Sequence, residues 1–312
     1  MRTGHLALDL ATGPSRGDVQ RVAHAARAFV ESWPIQFLTR FGYVVRGVIY
    51  FIPGLLALDL AVRRRGATLA PTGAIAMIGH EPFGRGLLLV VMAGLIGYAF
   101  WGLTRALLDP WGRGTSLRGI GRRIGYAISG LAYMSFVVLT THLLLGDTAD
   151  ADQARAWVAR ALAAPMGGWI LGAVGLGWIL FAGLSEIGFG LTGGFERDLR
   201  WERMHVREHR WAVALGRIGI AGRGVIFAVV GLLLVTAALQ HDPRRGGGMG
   251  EALEAIARQA FGRTLLALAA AGLMIFGVFS VLCARWMRTR SGLSQIRSPR
   301  RFHKREVRHG HV

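Results

Sequence analysis

Arg46 stands in the run "RFGYVVRGVIY", residues 40 to 50, among side chains that are otherwise mostly apolar. At about 100° per residue on a helix, Tyr43, Arg46, Gly47, Tyr50 and Gly54 share one face, while Val44, Val45, Val48, Ile52 and Leu55 occupy the rest. The polar face should look into protein and the aliphatic face into lipid. A guanidinium flanked by phenols suits either an anion or a paired carboxylate. Glu186, in "FAGLSEIGFG", is the one carboxylate well inside an apolar run. An isolated carboxylate there would prefer neutrality, and a guanidinium partner would keep it charged, so it is expected to pair with Arg46 or Arg223.

The same face returns as Tyr126, Ser129, Gly130 and Tyr133, and again as Ile220, Arg223, Gly224, Phe227 and Gly231. Arg46, Ser129, Arg223, Glu186, Tyr43, Tyr50, Tyr126 and Tyr133 therefore form the candidate polar cluster, with Tyr98 and Arg105 as further members. Two arrangements are open for Arg46, which lies about 9 Å deeper than Arg40 on a helical rise: pairing inside the bundle, or snorkelling to the headgroups. Arg105 reads more simply as a helix-end residue facing headgroups and the helix dipole.

Other chemistries find no support. His142 is read as a hydrogen-bonded interfacial residue near a helix end rather than a proton carrier. Asp59 lies near an outer end, where water reaches it. His303, His309 and His311 lack metal-ligand spacing and read as a solvated tail. The only lysine, Lys304, is outside the apolar runs, which excludes a retinal Schiff base, and one intramembrane histidine cannot ligate a haem pair. The single cysteine, Cys283, excludes an intrachain disulfide and reads as a small buried apolar residue. There is no phosphate loop, HExxH or GxSxG. No catalytic residue, cofactor or metal is expected, and no enzymatic activity.

The elements that must position these residues follow from composition. Of 312 residues, 52% are apolar, gathered in six runs at about 41–62, 86–108, 124–146, 169–192, 213–240 and 264–284. Each is long enough as a helix to cross a hydrocarbon core of about 30 Å. Lipid offers the backbone no hydrogen bonds, so the runs are helices of an all-α integral membrane protein. The first residues lack a signal-peptide pattern, so no cleaved leader is expected. Residues 21 to 33 look like an interfacial helix, with Val22, Ala26, Phe29 and Trp33 on one stripe.

Loop charges set orientation. The N-terminus, the loops 109–123 and 193–217, and the tail from 285 carry 24 Lys/Arg against 10 in the loops 63–85, 147–168 and 241–263. Both termini are expected in the cytoplasm of a bacterium, beneath its plasma (inner) membrane. The net charge of +19 is read as attraction to anionic headgroups on that side rather than to nucleic acid. The linker "FERDLRWERMHVREHRW" suits such a surface.

The opening run recurs without a gap as "RIGYAISGLAY" at 123 and "RIGIAGRGVIF" at 217. Each is followed by a short connector and a second apolar run introduced by Gly, the middle copy needing a slip of about two residues. The connectors read as amphipathic helices on the periplasmic surface. Two spans return the chain to the side it left, so three copies share one orientation and are expected around a pseudo-threefold axis along the membrane normal. The expected segments are 1–38 (N-terminal, with the amphipathic helix), 39–110, 121–194 and 213–288 (repeats), 195–212 (Arg/Trp-rich linker) and 289–312 (basic, disordered tail).

This pattern, carried by Arg40, Gly42, Tyr43, Arg46, Gly47 and Tyr50 with Gly94, Leu95, Tyr98 and Trp101, resembles the family known as domain of unknown function 1206, from about residue 38 to 288. Copy two departs at Ser129, and copy three at Ile220 and Phe227. The resemblance implies tandem two-helix membrane units and no particular activity. The expected role is a structural, lipid-binding or partner-binding membrane component. The alternative is a small-anion transporter or channel along the axis, lined by Arg46, Ser129 and Arg223. An axis sealed by Tyr50, Tyr133 and Phe227 would favour the first.

Overall fold

The computed structural model describes residues 32–63, 71–107, 116–146, 153–200, 202 and 204–286. Nearly all of the interfacial stripe at 21–33 and the whole basic tail from 289 lie outside the described residues. The described chain is built of helices. Six are long and apolar enough to cross a membrane: α1 (Trp33–Arg63), α3 (Gly84–Leu107), α4 (Leu117–Leu145), a fourth span formed by α6 (Gly167–Gly177), a π-helical segment (Trp178–Leu184) and α7 (Ser185–Leu191), then α8 (Val206–Gln240) and α10 (Gly262–Trp286). The protein is a multi-pass membrane protein.

Apolar content alone places the start of the fifth span at 213, but α8 begins at Val206. The cause is a local cap: Glu208 Oε2 accepts from His205 N at 3.0 Å, so the helix starts before its apolar run. At 35 residues, α8 extends about 52 Å, well beyond a core of about 30 Å.

A short helix precedes the second span of each unit: α2 (Pro71–His80), α5 (Gln153–Ala163) and α9 (Met249–Ala257). All three junctions use one device. Phe83, Met166 and Phe261, just before Gly84, Gly167 and Gly262, have φ of 66°, 59° and 60°, a left-handed conformation costly to residues with a side chain. The glycine that follows lets the span start against the short helix, since a Cβ there would fall 2.1, 1.9 or 2.0 Å from the carbonyl oxygen of Gly79, Ala161 or Ala257. The three left-handed residues are themselves 90%, 73% and 86% exposed, so their apolar side chains project outward.

The spans pack in the order α4, α3, α1, α10, α8, fourth span. Among the described residues, no comparable packing joins α4 to the fourth span. Glycines make the contacts close, as suits helices that gain their association energy from van der Waals packing. Gly102 meets Gly130 between α3 and α4, Gly47 meets Gly277 between α1 and α10, and Gly224 meets Gly183 between α8 and the fourth span.

Because α1 packs on both α3 and α10, its protein-facing arc is wider than one stripe. Val45 and Ile49 are buried, so the expectation that Val45 faces lipid is corrected: it lies against Gly94 of α3.

A buried arginine layer as candidate functional site

Arg46 is 7% exposed. Its Nε donates to Ser280 Oγ of α10 at 3.1 Å, and a terminal nitrogen donates to the Tyr98 hydroxyl of α3. The guanidinium lies 5.1, 4.8 and 4.8 Å from the ring centroids of Tyr43, Tyr98 and Phe276, within cation–π range. Snorkelling is thus replaced by an aromatic enclosure. Among the described residues, no carboxylate stands opposite Arg46.

Arg223 has a different partner. It forms a forked pair with Glu186, Nε donating to Oε2 at 2.9 Å and a terminal nitrogen donating to Oε1. Of the two expected partners for Glu186, the structure selects Arg223. The Arg223 guanidinium also lies 4.0 Å from the Phe276 centroid, 5.2 Å from Phe227 and 5.5 Å from Tyr50. Phe276 therefore lies against the guanidinium groups of both Arg46 and Arg223, and its own ring packs edge-on to Tyr50 at 5.1 Å.

The remaining expected residues are distributed unevenly. Tyr133 packs on Tyr98, centroids 4.3 Å apart, and Tyr50 and Tyr133 are both buried in the main core. Tyr126 lies instead under Arg105, 4.2 Å from its guanidinium. Arg105 is 5% exposed, which corrects the expectation that it faces headgroups. Its enclosure by Tyr126 and Trp101 explains the difference: the end of α3 is covered by α4. Ser129 is half-buried and makes none of these contacts.

The pairing of Glu186 with Arg223 depends on one extra residue. Gly102 and Ser280 each lie 18 positions after the glycine that opens their span, whereas Ser185 holds that position in the middle unit and Glu186 is one further. Before the π segment the units are in step: Gly54 approaches the carbonyl of Ala270, and Gly231 that of Gly175, both eight residues into their span. After it they are offset by one: Gly130 and Gly47 meet the carbonyls of Ala99 and Gly277, 15 residues in, but Gly224 meets that of Gly183, 16 residues in. The π segment Trp178–Leu184 absorbs the added residue. Glu186 consequently stands at the place of Ser280 and Gly102, facing the arginine of the next helix.

Sequence reasoning missed Phe276, Ser280 and the π segment. Phe276 is the counterpart of Tyr98, 14 residues after the opening glycine, and that alignment was the signal available. Outside the layer, Glu196, His209, Arg210, Val213, Ala214, Arg217 and Ile218 line an open groove of about 510 Å³ at the start of α8.

The family model for a domain of unknown function (DUF1206) matches the chain three times, over residues 41–109, 124–185 and 218–287. The uncharacterized protein YxxB of Bacillus subtilis (strain 168) is 30% identical over 243 residues, 78% of this chain and 88% of that relative. No solved structure matches.

Proposed function

The chain belongs to the family defined by domain of unknown function 1206, and from that premise we propose that it is a structural, partner-binding or lipid-binding component of the bacterial inner membrane, without catalytic activity. Its three units stand around a pseudo-threefold axis. Both termini and the arginine-rich loops face the cytoplasm, and α2, α5 and α9 lie on the periplasmic side. Arg210 and His209, above Val213 and Ile218 in the groove on α8, suit an anionic headgroup over an acyl chain. Nucleic acid is not among the partners.

The observation supporting this reading is the close packing of these side chains: Arg46, Tyr50 and Tyr133 are 7%, 4% and 3% exposed, with Phe227 packed against the same core. Proteoliposomes carrying the intact protein are expected to show no flux of chloride, phosphate or small carboxylates, and Arg46→Ala no change. The protein should also bind anionic in preference to neutral vesicles. Saturable anion flux abolished by Arg46→Ala would overturn the reading in favour of a transporter along a path lined by Arg46, Ser129 and Arg223. That second reading draws on one observation, the absence of a carboxylate opposite Arg46 among the described residues.

A further inference from the structure

In the first and third units, the two spans touch through a glycine on each. Gly42 of α1 lies against the backbone of Tyr98 and Gly94, and Gly94 against Val45; a Cβ at either glycine would fall within 2.7 Å of its neighbour. Gly219 of α8 lies in the same way against Phe276, and Gly272 against Gly222. Both pairs occupy fixed places. Gly42 and Gly219 are the glycines two residues after Arg40 and Arg217, and Gly94 and Gly272 each come ten residues after the glycine that opens their span.

The middle unit keeps both glycines and uses neither. Gly125 follows Arg123 by two residues, and Gly177 follows Gly167 by ten. Around each of them a Cβ would meet nothing within 4 Å. The neighbours agree: Ile128, at the position of the 5% exposed Val45, is 48% exposed. In α4 and the fourth span only 17% of the apolar window is buried, against 33% to 50% in the other four. Glu186, on the same span, is partly exposed where its counterpart Ser280 is buried.

We propose that the seam between α4 and the fourth span is the interface of a symmetric dimer, with a second copy of this chain as its occupant. The two other units show what the face fits: the glycine of a first span takes the glycine-bearing face of a second span at backbone contact. The complement of Gly125 is therefore the Gly177 face, and each molecule carries one of each, unmatched. A twofold axis along the membrane normal sets α4 against the fourth span of the partner and the fourth span against the partner's α4, so that both faces are filled at once. Within one chain the two spans meet at one end, where the Arg122 guanidinium lies 5.8 Å from the Phe189 ring centroid. Bringing the Gly125 and Gly177 faces together would have to move spans tied elsewhere, α4 to α3 through Gly130 and the fourth span to α8 through Gly175, Gly183 and Gly190. This interface is separate from the basic inner face, so its failure leaves the lipid-binding and partner-binding reading to be judged by its own vesicle and flux measurements.

The test uses two full-length chains, Gly125→Cys and Gly177→Cys, each with Cys283→Ala and a different tag. They are co-expressed and oxidised in native membranes. The expected result is a disulfide joining the two tags, from positions where an added side chain meets nothing in the monomer. A chain carrying both cysteines that instead closes on itself as a monomer would overturn the proposal in favour of a seam that shuts within one molecule. Absence of either crosslink would overturn it in favour of lipid or another protein. Independently, Gly177→Leu should shift the detergent-solubilised protein from dimer to monomer by light scattering, weakening association at least tenfold while leaving monomer unfolding unchanged. A dimer of undiminished affinity would count against the seam.

Discussion

Glu186 receives Arg223 in a forked ion pair, with Nε 2.9 Å from Oε2, although the two residues lie 37 positions apart on separate spans. Their side chains are 23% and 13% exposed, so the pair is largely withdrawn from solvent. Removing one charge leaves the other without compensation, and the loss should exceed that from removing both. Glu186→Gln is expected to destabilise the protein by about 3 kcal/mol. The double variant with Arg223→Gln should cost less than the sum of the two single ones. Thermal unfolding of all four proteins in detergent measures this, and simple additivity would show that the pair is not coupled.

The π segment predicts an asymmetric tolerance to deletion. Removing Leu180, which is 46% exposed, takes out the extra residue and leaves Glu186 facing Arg223 on an unbroken α-helix. Removing Met274 from the regular α10 rotates Ser280 away from Arg46 by about 100°. The first variant should accumulate in membranes and unfold close to the intact protein, and the second should not. Equal damage from both would contradict the register assignment.

The junction glycines predict a sharp contrast. At Gly262 a Cβ would lie 2.0 Å from the carbonyl oxygen of Ala257, while at Gly121 it meets nothing within 4 Å. Gly262→Ala should cost about 1–3 kcal/mol through overpacking, with Gly84→Ala and Gly167→Ala behaving alike. Gly121→Ala should be neutral or slightly favourable, because it lowers the entropy of the unfolded chain. Melting temperatures of the four variants decide the point.

Arg46 is held by direction as much as by charge. Its Nε reaches Ser280 while a terminal nitrogen reaches Tyr98, and the planar group lies against Phe276. Lysine has one nitrogen and no planar face, so Arg46→Lys should keep the charge yet lose about 1–2 kcal/mol of stability. Adding Ser280→Ala should cost less in the lysine background than in the native one, because the Arg46–Ser280 bond is already lost there. A lysine variant as stable as the native protein would show that charge alone is what the site requires.

Much of this organisation is legible in the chain itself. The membrane class, the six spans and the recurrence of Arg-x-Gly at 40, 123 and 217 follow from hydropathy and spacing, which are local properties. That the face carrying Tyr43, Gly47 and Tyr50 looks into protein also follows from spacing, but the sequence left Arg46 free either to pair inside the bundle or to snorkel, and only its packing partners enclose it. The width of that buried face does not follow. Val45 turns inward because a second neighbour covers it, and helix periodicity carries no record of how many neighbours a span has.

Tertiary structure alone decided between Arg46 and Arg223 as the partner of Glu186. The choice depends on one residue absorbed as a π turn, which shifts everything after Trp178 by a single position, and that shift registers only where two spans meet. It alone enlisted Ser280, a polar residue in an apolar run with no signature of its own, and gave Phe276, aligned with Tyr98, its place against two guanidinium groups. It alone separated Gly125 and Gly177, which the sequence writes in the same places as the glycines that pack in the other two units. Sequence sets which faces are able to meet; the competition among neighbouring helices for those faces sets which do.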